Sequence, residues 1–119
     1  MSQDFQPGDY LVFQIESGFG LLRLLDIEVR DGEKIWHLAA FRDMFLDVES
    51  ADDALKSASG LTVSHPHLAL TNRAFESTQT ARMINIPLND DELHGLHEWR
   101  AGDAREVSDR SVRLLLGMR

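Results

Sequence analysis

The sequence has no cysteine, only three prolines and a single tyrosine, and it contains no long apolar run. Without cysteine there is no disulfide scaffold and no thiolate nucleophile, and a zinc site would need histidine and carboxylates alone. Uninterrupted apolar stretches reach only a few residues, as in Leu114-Leu115-Leu116, far short of the roughly 20 needed to cross a bilayer. Residues 1–10 carry Asp4 and Asp9, no positive charge and no apolar segment. Nothing there reads as a signal peptide, so the protein is expected in the cytoplasm and off the membrane. Repeats, low-complexity segments and linkers are also missing, which predicts one domain over 1–119. What is present, 43% hydrophobic and 27% charged residues in a chain of 119, is enough to bury a core.

The net charge of −8 is unevenly spread. Up to Leu55 there are twelve acidic and four basic residues, whereas the remainder carries eight of each. An acidic field repels a phosphate backbone and has few cations with which to release its counterions, so direct nucleic-acid binding is disfavoured. A basic partner protein would be attracted; the plainer reading is that the charge keeps the chain soluble.

Pro7-Gly8-Asp9 reads as a turn leading into a strand, and Tyr10–Glu16 alternates with Leu11, Phe13 and Ile15 on one parity, the pattern of a half-buried strand. Ser17-Gly18-Phe19-Gly20 reads as a hairpin connection into a long second strand, Leu21–Arg30, bulged near Leu22-Arg23-Leu24. Asp31-Gly32 is a strong hairpin signal because both residue types tolerate positive φ. A third strand is expected over Glu33–Phe41, then a loop and a further short strand over Arg42–Glu49. Ser50 is read as the N-cap of a short helix that Gly60 ends. His65-Pro66-His67 punctuates, Leu68 and Leu70 suggest a brief strand, Ala74–Thr80 shows no clear pattern, and Arg82–Leu88 alternates again. The clearest helix follows: Asn89 is its N-cap, Glu92 completes a capping box, and Leu93, Leu96 and Trp99 form the face that packs on the sheet. Ser108–Leu116 fits either a helix or a strand, with helix favoured.

No catalytic constellation emerges. Gly18-Phe19-Gly20 lacks the third glycine of a phosphate loop, and no serine sits in an elbow motif. His94, His97 and Glu98 diverge around a helix and read as surface residues, His65 and His67 flank a proline without further ligands, and His37 reads as a half-buried strand histidine. The acidic group Asp43, Asp47, Glu49, Asp52 and Asp53 lacks the glycine and glutamate of a calcium-binding loop and reads as a solvated loop. No cofactor and no metal are therefore expected. Trp36 reads as a core residue first and as an exposed contact anchor second.

Three segments together, Pro7-Gly8-Asp9-Tyr10-Leu11-Val12-Phe13, Gly18-Phe19-Gly20-Leu21-Leu22-Arg23-Leu24-Leu25, and Phe41 after a third strand, resemble the N-terminal β-meander of small, mostly-β bacterial toxin-immunity proteins. The resemblance covers about the first third of the chain. It implies a non-enzymatic protein that binds and neutralises a toxin, and the acidic first half would suit a basic one.

The resulting expectation is an α+β domain: a bent antiparallel sheet or partly open SH3-like barrel with two or three short helices on one side. Its expected function is that of a non-catalytic acidic module that binds a basic protein through Asp26, Glu28, Asp43, Asp47, Glu49, Asp52, Asp53 and Trp36. Two alternatives stand beside it. One is a small-molecule-binding barrel or cryptic enzyme with a pocket at Trp36 and His37, and the other is a structural homodimer.

Overall fold

The computed structural model describes residues 4–57 and 61–117. Five strands, β1 (Asp9–Ile15), β2 (Gly18–Arg30), β3 (Glu33–Phe45), β4 (Val63–Thr71) and β5 (Thr80–Asn85), form one antiparallel sheet in the order β4-β3-β2-β1-β5. Among the described residues four helices accompany it: α1 (Val48–Ser57), α2 (Asn72–Thr78), α3 (Asp90–Ala101) and α4 (Val112–Leu115). The fold is α+β and the sheet is open, with β4 and β5 at its edges and no barrel closure.

The helices cover both faces of the sheet, where the sequence suggested one side. Leu11, Phe13, Leu22, Leu24, Leu38 and Leu70 meet Ala74 and Phe75 of α2 and Val112 of α4 on one face. On the other, Val12, Leu21 and Phe41 meet Ala51 and Leu55 of α1, while Leu25 and Ala39 meet Leu96 of α3. Because successive strand residues point to opposite faces, covering both faces buries every residue of Gly20–Leu25 and Ile35–Phe41. The near-continuous apolar character of those runs, interrupted by Arg23 and His37, is the sequence signature of such a strand.

Several boundaries move for identifiable reasons. β3 does not stop at Phe41, since Met44 and Phe45 pair with Gly20 and Phe19 of β2. No further short strand follows; Asp47 caps α1 instead, its Oδ1 accepting from the Ser50 amide at 2.7 Å. The brief strand around Leu68 is nine residues long, and it tolerates Pro66 because β4 is an edge. The unassigned stretch after Ala74 lies mostly in α2, opened by Thr71, whose Oγ1 accepts from the Ala74 amide, and ended by Gln79 at φ 56°. Within Ser108–Leu116 only Val112–Leu115 is helical, and Ser108 bridges to Leu70 beside β4. The helix end expected at Gly60 lies outside the described residues.

Two turn and cap readings hold. Asp31 and Gly32 adopt φ of 53° and 81°, as a primed hairpin turn requires. Asn89 and Glu92 form the reciprocal capping box at the start of α3. The chain reaches α3 by crossing from β4 over the α2 face to β5 at the far edge and then returning over the opposite face.

Candidate functional site

The acidic residues of the first half divide into those used internally and those left for a partner. Asp26 and Glu28 sit on β2 under α3. A register shift between Leu24 and Asp26 turns them to the side of His37. Asp26 accepts from Arg100 of α3, and Glu28 accepts from Arg30 at 2.7 Å and bonds His37 at 2.9 Å. Asp43 accepts from the Thr62 amide, and Asp47 caps α1. The Ser50 backbone N–H held by Asp47 keeps that carboxyl below its ordinary range. Asp52 pairs with Lys56 one helical turn on, at 3.0 Å. Glu49 and Asp53 point to solvent, with no ion pair or side-chain hydrogen bond among the described residues.

Between these carboxylates lies a feature that charge patterning did not reveal. Met44, Leu46 and Val48, at alternate positions around the corner from β3 into α1, are 54%, 86% and 43% exposed. Their period-2 spacing is visible in the sequence, but it straddles a strand end and a helix start, so it announces neither element. Clustered exposed apolar side chains are a common feature of contact surfaces.

Trp36 is placed elsewhere. It is only 5% exposed, stacks on Phe75 at 3.8 Å between ring centroids, and donates from Nε1 to Asn72 Oδ1 at 2.9 Å. It is a core residue on the α2 face, away from the acidic corner. Trp36 and His37 are neighbours on one strand and point to opposite faces, so they do not line a common pocket. A cavity of about 700 Å³ does open beside Trp36, lined also by Phe5, Lys34, Asn72 and Glu76.

His37 is completely buried and lies in the middle of a hydrogen-bond chain. Its Nε2 is 2.9 Å from Glu28 Oε1 and its Nδ1 is 2.9 Å from His67 Nε2. His37 lies opposite Asp26 on β2 and Ala69 on β4, so Glu28 and His67 are its diagonal neighbours on one face. Sequence reading could not join the three residues, because the register of β4 is set by packing rather than by a local motif. Trp99 stands edge-on to His37 at 4.8 Å. Gly95 lets α3 close on this site, since a Cβ there would come within 3.1 Å of the His67 Cβ. Burial pushes the His37 imidazole below its ordinary value despite the Glu28 contact, and burial together with the neighbouring His37 and Arg100 brings His67 down to about 4. His94 and Glu98 pair with each other on the outer surface of α3. Among the described residues no group of three or more histidines and carboxylates is arranged to hold a metal ion, and no helix is long and apolar enough to cross a membrane.

The fold and these sites define an open-sheet α+β domain with an acidic, apolar-tipped corner. No protein-family profile matches the chain, no curated protein is significantly similar to it, and no solved structure significantly matches its fold.

Proposed function

We propose that the protein is a non-catalytic binding module that engages a basic partner protein through the β3–α1 corner. The observation that carries this is the exposure of Met44, Leu46 and Val48 within the most acidic stretch of the chain. Apolar side chains at the centre of a contact supply affinity, and a surrounding rim of one sign supplies steering and selects the opposite sign. The rim here is Glu49 and Asp53, with Asp43 and Asp47, which accept from backbone amides and meet no cation among the described residues; Asp52 is offset by Lys56. Asp26 and Glu28 leave the proposed surface because Arg100, Arg30 and His37 already engage them. The N-terminal resemblance to toxin-immunity proteins supports a partner of the toxin class, neutralised by occlusion.

The test compares the native protein with Leu46→Ser and with Glu49→Gln/Asp53→Asn, each immobilised and exposed to lysate from its source at low and high salt. The native protein is expected to retain a specific basic protein that salt releases. Leu46→Ser should lose it, and the charge variant should weaken its salt dependence. Equal retention by all three proteins would refute the assignment of this corner.

A second reading, a small-ligand site, is favoured by the cavity beside Trp36. A ligand there would change tryptophan fluorescence and would be unaffected by Leu46→Ser. The third reading, a homodimer, would use β5, which pairs only with β1 among the described strands. Concentration-dependent mass in solution identifies it.

A further inference from the structure

Beneath α3, one chain of hydrogen bonds crosses three strands. Glu28 is on β2, His37 on β3 and His67 on β4, joined by two contacts of 2.9 Å. An ionised carboxylate can only accept, so His37 carries its proton on Nε2 and presents a bare Nδ1. His67 must then donate from Nε2. One further proton fits without breaking the chain, on the Nδ1 of His67. A second would place two N–H groups face to face across 2.9 Å, and the link would part.

The surroundings offer these protons little support. From α3, Arg100 faces the imidazoles and opposes a second cation. From β2, the carboxylates Asp26 and Glu28 favour one, but Arg100 holds Asp26 while Arg30 and His37 share Glu28. From β4, among the described residues, His67 itself is the titratable group in the chain, and the Trp99 indole of α3 lies 5.4 Å from it. Two further ionisable pairs belong to α3: Glu92 meets Arg23 of β2 at its start, and His94 and Glu98 face solvent. The helix rests directly on the chain through Trp99 and Gly95.

We propose that Glu28, His37 and His67 form a proton-operated latch for α3, strongest while both imidazoles are neutral, weakened by a first proton on half-buried His67 and parted by a second on His37, so that acid opens the helix locally and uncovers Leu25 and Ala39. The sign follows from burial. His67 falls from an ordinary value of 6.5 to about 4 in the folded protein, so the opened form binds protons more tightly than the closed one. The latch is at full strength above about pH 6.5 and weakens as the pH falls towards 4. That gap alone multiplies the opening equilibrium by up to about 300-fold, and His37, lowered in the same direction, adds to it.

Hydrogen exchange of the α3 amides between pH 7 and 4, corrected for intrinsic rates, tests the proposal. Opening of 90–101 is expected to rise steeply with acid while the central amides of β2 and β3 stay protected. His67→Gln keeps a donor towards His37 but cannot take a proton, and it should flatten the rise. A pH-independent α3, a rise shared equally by the central strands, or an unchanged rise in His67→Gln would each overturn the latch. Should His67→Gln not fold, ¹⁵N spectra of the native imidazoles decide: His67 titrating near 4 together with α3 exchange supports it, and His67 titrating near 6.5 with α3 undisturbed overturns it.

Discussion

Arg23 and Glu92, 69 residues apart, form a two-pronged ion pair that pins the start of α3 to the middle of the sheet. Nε meets Oε2 at 2.8 Å and Nη2 meets Oε1 at 3.1 Å. The guanidinium is 2% exposed, donates also to the carbonyls of Gly8 and Pro87, and lies 4.3 Å above the Tyr10 ring. Glu92 simultaneously closes the capping box, so one carboxylate satisfies both the helix end and the buried cation.

Arg23 is buried and Glu92 only partly so, and removing Glu92 strands the buried cation. Glu92→Leu is therefore expected to destabilise the fold by about 3–5 kcal/mol in urea unfolding. The double variant Arg23→Met/Glu92→Leu should recover part of that loss. A double-mutant cycle showing no coupling would mean the two groups contribute independently.

Glu92 also gives stability a pH dependence. Burial raises its pKa, but the hydrogen bond from Arg23 and the backbone donor of Asn89 outweigh that and hold it below its ordinary 4.5. The folded state thus prefers the ionised form. Its contribution is fully present above about pH 4.5 and is lost as the pH falls through the lower folded value. The urea midpoint of the native protein should drop over that range, and Glu92→Gln should drop less.

Leu46 and Leu24 make a contrasting pair. Leu24 is buried between β1 and β3, and its truncation to alanine should cost about 2–5 kcal/mol. Leu46→Ser, at an exposed corner, should leave stability within about 0.5 kcal/mol. Comparable losses at both positions would show that the corner belongs to the core rather than to a partner.

The N-cap of α3 supplies a smaller, local effect. Asn89→Ala removes the side-chain acceptor for the Glu92 amide, 2.8 Å away, and is expected to cost about 0.5–2 kcal/mol. Amide exchange should show the loss first in the opening turn of α3.

Local chemistry made part of this legible in the sequence. Asp31-Gly32 and the Asn89 to Glu92 spacing each specify a backbone geometry by themselves, and both appear where expected. Leu93, Leu96 and Trp99 likewise define the face of α3 that meets the sheet. What escaped depends on residues far apart in sequence. Arg23 interrupts an apolar run and finds its partner only when α3 folds back over the sheet. The Glu28, His37 and His67 chain needs the registers of both β2 and β4, and the extension of β3 to Phe45 needs the first residues of β2. The candidate surface was half visible: its carboxylates show in the charge count, but the exposure of Leu46 is a property of the turn that carries it.

The placement of β5 has a consequence for the chain during its synthesis. β1 gains its second neighbour only when Thr80–Asn85 arrives from the other side of the sheet, with Asp9 opposite Asn85. Until then the four preceding strands can zip together through nearest-neighbour contacts, while the hydrogen-bonding groups along the outer side of Leu11, Val12 and Phe13 stay open. A nascent chain stalled before Thr80 would thus present an apolar strand edge able to pair with another chain, and that edge is where a chaperone would be needed most.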